Sequence, residues 1–195
     1  MCTINRLIFF ITLFLASLLG SLTVSADAAN PVVSIKTNYG EITLELDRVK
    51  APITVDNFMK YVASGHYDST LFHRVMETFM IQGGGFDEDF NDKETLDPIK
   101  NEANNSLSNV RGSVAMARTN DPHSATAQFF INVVDNDFLN FTAPNGSGWG
   151  YTVFGKVTHG MDVVDKIRKV AVGNFSGHGN VPTEPVIITK VRAVE

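Results

Sequence analysis

The sequence predicts a mainly β domain, a closed or nearly closed antiparallel barrel accompanied by two helices. Many short apolar or alternating runs recur along residues 32–194, and only two segments carry helical spacing. Strands and helices never alternate in the rhythm that a parallel sheet requires.

The first residues stand apart from that domain. Arg6 precedes the uncharged run LIFFITLFLASLL, Leu7–Leu19, and small residues follow it as far as VSADAAN. A positive start, a short apolar block and an Ala-x-Ala-like exit describe a secretory signal peptide over 1–28, cut after Ala26 or after Ala28. The block falls short of the about 20 residues that span a bilayer. No second block follows, so residues 29–195 are expected to act as one domain away from the membrane. Cys2, the only cysteine, lies in the leader, which leaves a mature chain no thiol for disulfides, thiolate metal sites or nucleophilic catalysis.

Within the domain, Val32–Thr37 and Glu41–Leu46 alternate about Asn38-Tyr39-Gly40 and read as a hairpin. In APITVDNFMKYVASG the apolar residues Val55, Phe58, Met59 and Val62 recur at helical spacing, with Pro52 near the start and Gly65 as a stop. Strand-like runs follow at Leu71–Val75, Phe79–Gln82, Ser113–Ala117, Phe129–Val133 and Val153–Val157. GMDVVDKIRKV supplies the second helix through Val163, Val164 and Ile167, and PVIITKVRAV closes the chain as a strand. The polar stretches 87–109 and 140–150 read as surface loops, where function concentrates.

Several function classes are disfavoured. The net charge is −5 with no extended basic run, which argues against binding nucleic acid through phosphate neutralisation. His66, His73, His123, His159 and His178 show no paired ligand spacing, so no metal is expected. Gly83-Gly84-Gly85 lacks the Lys-Ser/Thr that completes a phosphate loop, and no Gly-x-Ser-x-Gly elbow marks a hydrolase. The triple glycine itself suits either a close backbone approach or a tight bend.

Three ordered motifs carry a specific signal: FHRVMETFMIQGGGF from Phe72, GSVAMARTNDPHSATAQFFINVVDNDFLN over Gly112–Asn140, and YTVFGKVTHGMDVVDKI over Tyr151–Ile167. They closely resemble the cyclophilins, peptidyl-prolyl cis-trans isomerases, over about Val32–Val194, and look most like the bacterial periplasmic branch. The resemblance implies a closed eight-stranded antiparallel barrel capped by two helices, with a peptide groove on its outer face. It places the catalytic arginine on Arg74 and the proline pocket on Phe79, Met80, Phe130 and Leu139. Groove glutamines fall on Gln82 and Gln128, and the stretch that holds substrate backbone falls on Ala117, Arg118 and Thr119. Phe138 stands where cytosolic eukaryotic members carry a tryptophan, and Tyr151 where they carry a histidine. Both replacements keep an aromatic wall, whereas tight cyclosporin binding is expected to weaken.

The implied chemistry breaks no covalent bond and needs no cofactor. The partners implied are proline-containing unfolded or folding polypeptides, acted on by a monomer in the periplasm. A non-catalytic peptide-binding or chaperone module using the same groove is the alternative, although a pure binder has no need of a donor at Arg74.

Overall fold

The computed structural model describes residues 30–146 and 148–194. The expected signal peptide, 1–28, lies outside them.

The hairpin forms as its alternation requires, with β1 (Val32–Thr37) and β2 (Gly40–Leu46) paired antiparallel and Val33, Ile35, Ile42 and Leu44 buried. Around it runs one antiparallel sheet built from β3 (Thr70–Leu71), β4 (Arg74–Val75), β5 (Met80–Gly83), β6 (Ser113–Met116), β7 (Phe129–Asn132), β8 (Val153–His159) and β11 (Ile187–Val194). Its hydrogen-bonded order is β3-β11-β1-β2-β8-β6-β7-β5-β4.

The expected mainly β architecture therefore holds, with one refinement to the eight-stranded barrel. The run predicted as one strand over Leu71–Val75 is two segments, and these are the two edges of the sheet. The chain changes partners between them. Phe72 N–H donates to Val186 O at 2.9 Å, while Leu71 O accepts from Gly84 N–H at 3.2 Å. The run thus passes from the β11 ladder to the β5 ladder, and the curled sheet meets itself through the backbone of Phe72 and His73.

The helix α1 (Pro52–Ala63) starts at a proline whose missing N–H costs nothing there. Its next donors are satisfied from far along the chain: Glu102 accepts from Ile53 N–H at 3.1 Å and from Thr54 N–H at 2.8 Å. A carboxylate at a helix N-terminus also complements the helix dipole. This contact pins the long loop after β5 to the barrel. The second helix, α2 (Met161–Ile167), buries Val163, Val164 and Ile167.

The barrel interior is filled by aromatic and branched side chains. Phe58 of α1 lies 5.0 Å from Tyr67, 5.5 Å from Phe129 and 5.1 Å from Phe154, centroid to centroid. Such tilted and edge-on pairs add to the burial of apolar surface that stabilises the core.

Two elements were not visible in the sequence. A short 3-10 helix spans Asp137–Leu139, and a separate hairpin joins β9 (Val172–Phe175) to β10 (His178–Pro182). That hairpin is mostly exposed and lacks an alternating apolar face. Its turn uses Ser176 and Gly177, both at positive φ (48° and 82°), the backbone that an Asn-Gly pair usually announces.

Candidate active site

Alternation along each strand divides the side chains between two faces of the sheet. Ile81, Val114, Met116, Phe129 and Ile131 join the barrel core, which sends their neighbours outward. Met80, Ala115, Phe130, Leu139 and Val153 form a second buried apolar cluster on the outer face. Its margin carries Met76, Phe79, Ala117 and Tyr151.

Strand register then sets the order across that face. Arg74 stands opposite Gln82, Gln82 opposite Phe130, and Phe130 opposite Ala115. The guanidinium, the amide and the apolar floor therefore form one row across four strands, at about 4.8 Å per step.

Side-chain bonds tie the row together. Gln82 Nε2 donates to Gln128 Oε1 at 2.8 Å, and Arg74 Nη1 donates to Gln82 Oε1 at 3.4 Å. The second terminal nitrogen, Nη2, lies 3.4 Å from Met76 Sδ, and the guanidinium carbon is 6.0 Å from the centre of the Phe79 ring. The three glycines make room for this arrangement in two different ways. A Cβ on Gly85 would collide with the Gln128 side-chain amide, and one on Gly83 would stand 2.8 Å from Leu71 O. Gly84 turns the chain at φ +85°, a conformation that L side chains resist.

Together these residues line a groove of about 750 Å³. Of the site residues expected from sequence, Arg74, Phe79, Met80, Gln82, Ala117, Arg118, Gln128, Phe130, Phe138, Leu139 and Tyr151 all border it. Phe138 is 75% exposed and stacks on Phe79 at 5.6 Å, forming an open flap on one wall. Tyr151 stands edge-on to Phe130 at 5.8 Å. Thr119 is not among the lining residues. Its N–H and hydroxyl both bond Ser124 Oγ, at 2.9 and 2.8 Å, so the turn that follows has engaged its polar groups.

Sequence reasoning missed one end of the groove, where Phe86, Asp92, His178 and the glycines beside it complete the lining. His178 comes from the unforeseen β9–β10 hairpin. It also missed the support beneath the apolar pocket. Asn109, Asn132 and Asn136, all buried, form a polar network. Asn136 Nδ2 donates to Phe79 O at 2.9 Å and to Asn132 Oδ1 at 2.7 Å. Asn132 Nδ2 donates to Asn109 Oδ1 at 3.1 Å, and Asn109 Nδ2 reaches Leu139 O and Tyr151 O, each at 3.3 Å. Three walls of the pocket are thus tied to one buried network. An asparagine ending the apolar run FFIN was the visible sign of it.

His73 is buried between this groove and the barrel wall, edge-on to Phe86 at 4.7 Å. Burial lowers its pKa to about 4, with nearby His178 adding to the effect. Its Nδ1 has no hydrogen-bond partner among the described residues. Among the described residues, no group of three or more His, Cys, Asp or Glu side chains is arranged to hold a metal ion.

Comparison with known proteins places this geometry in context. Residues 32–193 match the family model described as cyclophilin type peptidyl-prolyl cis-trans isomerase/CLD. The chain is 59% identical over 160 residues to peptidyl-prolyl cis-trans isomerase cyp18 of Streptomyces antibioticus, covering 82% of this chain and 96% of that one. It is 57% identical over 164 residues to peptidyl-prolyl cis-trans isomerase B of Escherichia coli K12, covering 84% and 100%. A crystal structure of a Cryptosporidium parvum cyclophilin, determined in the presence of the dipeptide Ala-Pro, superposes with a TM-score of 0.68 at 27% identity. It covers 84% of this chain and 99% of that one.

The lowered His73 pKa has a consequence for stability. The unfolded imidazole takes up its proton near 6.5, whereas the folded one resists until about 4. His73 therefore favours the folded state above pH 6.5, and that contribution falls away as the pH drops from 6.5 towards 4. The gap corresponds to about 3 kcal/mol at 1.36 kcal/mol per pH unit. Urea unfolding at pH 7 and pH 4.5 is expected to show a clear loss of stability, and His73→Gln is expected to shrink it. An equal loss in both proteins would rule His73 out as its source.

Proposed function

The chain belongs to the family of cyclophilin-type peptidyl-prolyl cis-trans isomerases and is an enzyme of that class, and from this premise we propose that Arg74 drives rotation about X–Pro bonds in folding polypeptides from the outer-face groove. The observation that carries this reading is the row of Arg74, Gln82 and Phe130 across neighbouring strands.

An X–Pro bond rotates slowly because amide resonance raises a barrier of about 18–20 kcal/mol. In the twisted state resonance is lost, and the prolyl nitrogen regains a lone pair that can accept a hydrogen bond. A donor aimed at that nitrogen binds the twisted state better than either planar one, which is the differential binding that lowers a barrier. Arginine suits the task because it stays protonated and holds its N–H groups in a rigid plane. Gln82, itself fixed by Gln128, orients the guanidinium from one side and leaves other N–H donors free for substrate.

Met80, Phe130 and Leu139 would hold the proline ring while the preceding residue turns, and would keep water from the nitrogen. Phe79 and the exposed Phe138 would close the wall over it. The asparagine network holds the backbones of Phe79, Leu139 and Tyr151, so the pocket keeps its shape as the substrate changes between isomers. Backbone recognition through Ala117 and Gln128 would leave the enzyme tolerant of many sequences around the proline.

We further propose export to the periplasm, which the leader pattern over 1–28 and the thiol-free domain support. Fractionated cells should release a mature chain beginning at Asp27 or Ala29; recovery of the intact chain from the cytoplasm would contradict export.

Arg74→Ala is expected to lower kcat/KM on a short X–Pro peptide by about 10²–10³, the cost of removing one preorganised donor. NMR exchange rates on the peptide measure the loss, and the unfolding midpoint should stay close to that of the wild type. Turnover near the wild-type rate in this variant would overturn the assignment.

A further inference from the structure

Two arginines border the groove, on opposite banks. Arg74 lies on β4 and Arg118 just beyond β6, with β7 and β5 between those strands. Arg118 is held with care. Its Nε donates to Gly150 O at 2.9 Å, its Nη1 donates to Thr119 O at 2.8 Å, and its guanidinium lies 4.4 Å from the centre of the Tyr151 ring. The Gly150 carbonyl is itself fixed, because it also accepts from Asn101 Nδ2 at 3.3 Å. Yet none of the salt bridges among the described residues includes Arg118.

A guanidinium has five N–H donors, and two of these are engaged. Fixing a long side chain gives up rotamer freedom. Among the described residues that freedom is given up with no carboxylate in return, which leaves a preorganised cation whose remaining N–H groups meet no acceptor there. The protein as a whole is acidic, at −5, so the positive edge is a local feature. Asp92, which also borders the groove, is bridged through its backbone to Phe86, the residue that packs on His73 beside Arg74.

We propose that Arg118 adds to the groove's general tolerance a preference for an acidic residue close to the proline. This deepens the function proposed above and rests on the same groove. The distance fits: Tyr151 is 5.8 Å from Phe130, ring centre to ring centre, and the guanidinium lies 4.4 Å from Tyr151. A peptide advances about 3.3–3.6 Å per residue, so a carboxylate one or two positions from a proline seated against Phe130 can reach Arg118.

The test compares peptides carrying Glu, Gln or Lys at the two positions on either side of one proline, with isomerisation followed by NMR exchange. At low salt the wild type is expected to favour Glu over Gln by about five-fold at one of those positions, the scale of a partly exposed ion pair. Lys should be disfavoured, and about 1 M salt should shrink the difference. Arg118→Gln should erase the Glu-to-Gln ratio, and Arg118→Glu should turn the preference towards Lys. Because ratios are read within each protein, any general loss of rate cancels. Equal ratios in the wild type, or a Glu preference that survives Arg118→Gln, would overturn the proposal. So would a uniform loss on all peptides that leaves the Glu-to-Gln ratio at its wild-type value, which is what a clamp on the loop would produce. Wild-type turnover of the Gln peptide keeps the two readings distinguishable; absence of turnover on every peptide would defeat the underlying function as well.

Discussion

The groove exists because the barrel interior is full. Phe58, Phe72, Phe129 and Phe154 leave no exposed surface inside, and each strand places successive side chains on opposite faces. Once Phe129 and Ile131 point inward, Phe130 must point out; once Ile81 is buried, Met80 and Gln82 face the groove. A slip of one residue in β5 or β7 would exchange the two sets and destroy core and site together. Register is therefore the constraint on which the site depends, and packing energy inside the barrel enforces geometry outside it.

That geometry places a cation beside apolar walls without burying it completely. Arg74 remains half-buried, with one hydrogen bond to Gln82, a sulfur contact to Met76 and a nearby aromatic face. Gln82 in turn is fixed by Gln128, whose side chain occupies the space that a residue larger than Gly85 would fill. On the apolar side, Asn109, Asn132 and Asn136 act through backbone carbonyls. Buried polar groups are costly unless satisfied, and a satisfied network rigidifies what it touches. The outer pocket is thus rigid for a different reason from the barrel core.

Much of this was legible in the sequence. The alternation in Val32–Thr37 announced the first hairpin, and the adjacent phenylalanines at 129 and 130 divided between core and groove as the strand period requires. The glycines at 83–85 needed both of the explanations open to them, close approach at Gly83 and Gly85 and a bend at Gly84. What stayed hidden was set by contacts between distant residues. Nothing near α1 reveals that Glu102 caps it, and nothing near Asn109 points to Leu139 or Tyr151. The β9–β10 hairpin was missed because exposed strands carry no apolar pattern, although it contributes His178 to the groove. Thr119, assigned to the site by resemblance, does not line the groove in this structure and bonds Ser124 in a local turn.

In this reading Arg74 and Gln82 act as one unit rather than as two independent contacts. A double-mutant cycle on kcat/KM, built from Arg74→Ala, Gln82→Ala and the double variant, tests it most directly. If Gln82 works by orienting Arg74, its removal should slow the wild type by about five-fold, the worth of one hydrogen bond, and should have little further effect once Arg74 is gone. Losses that simply multiply in the double variant would mean that the two side chains act independently.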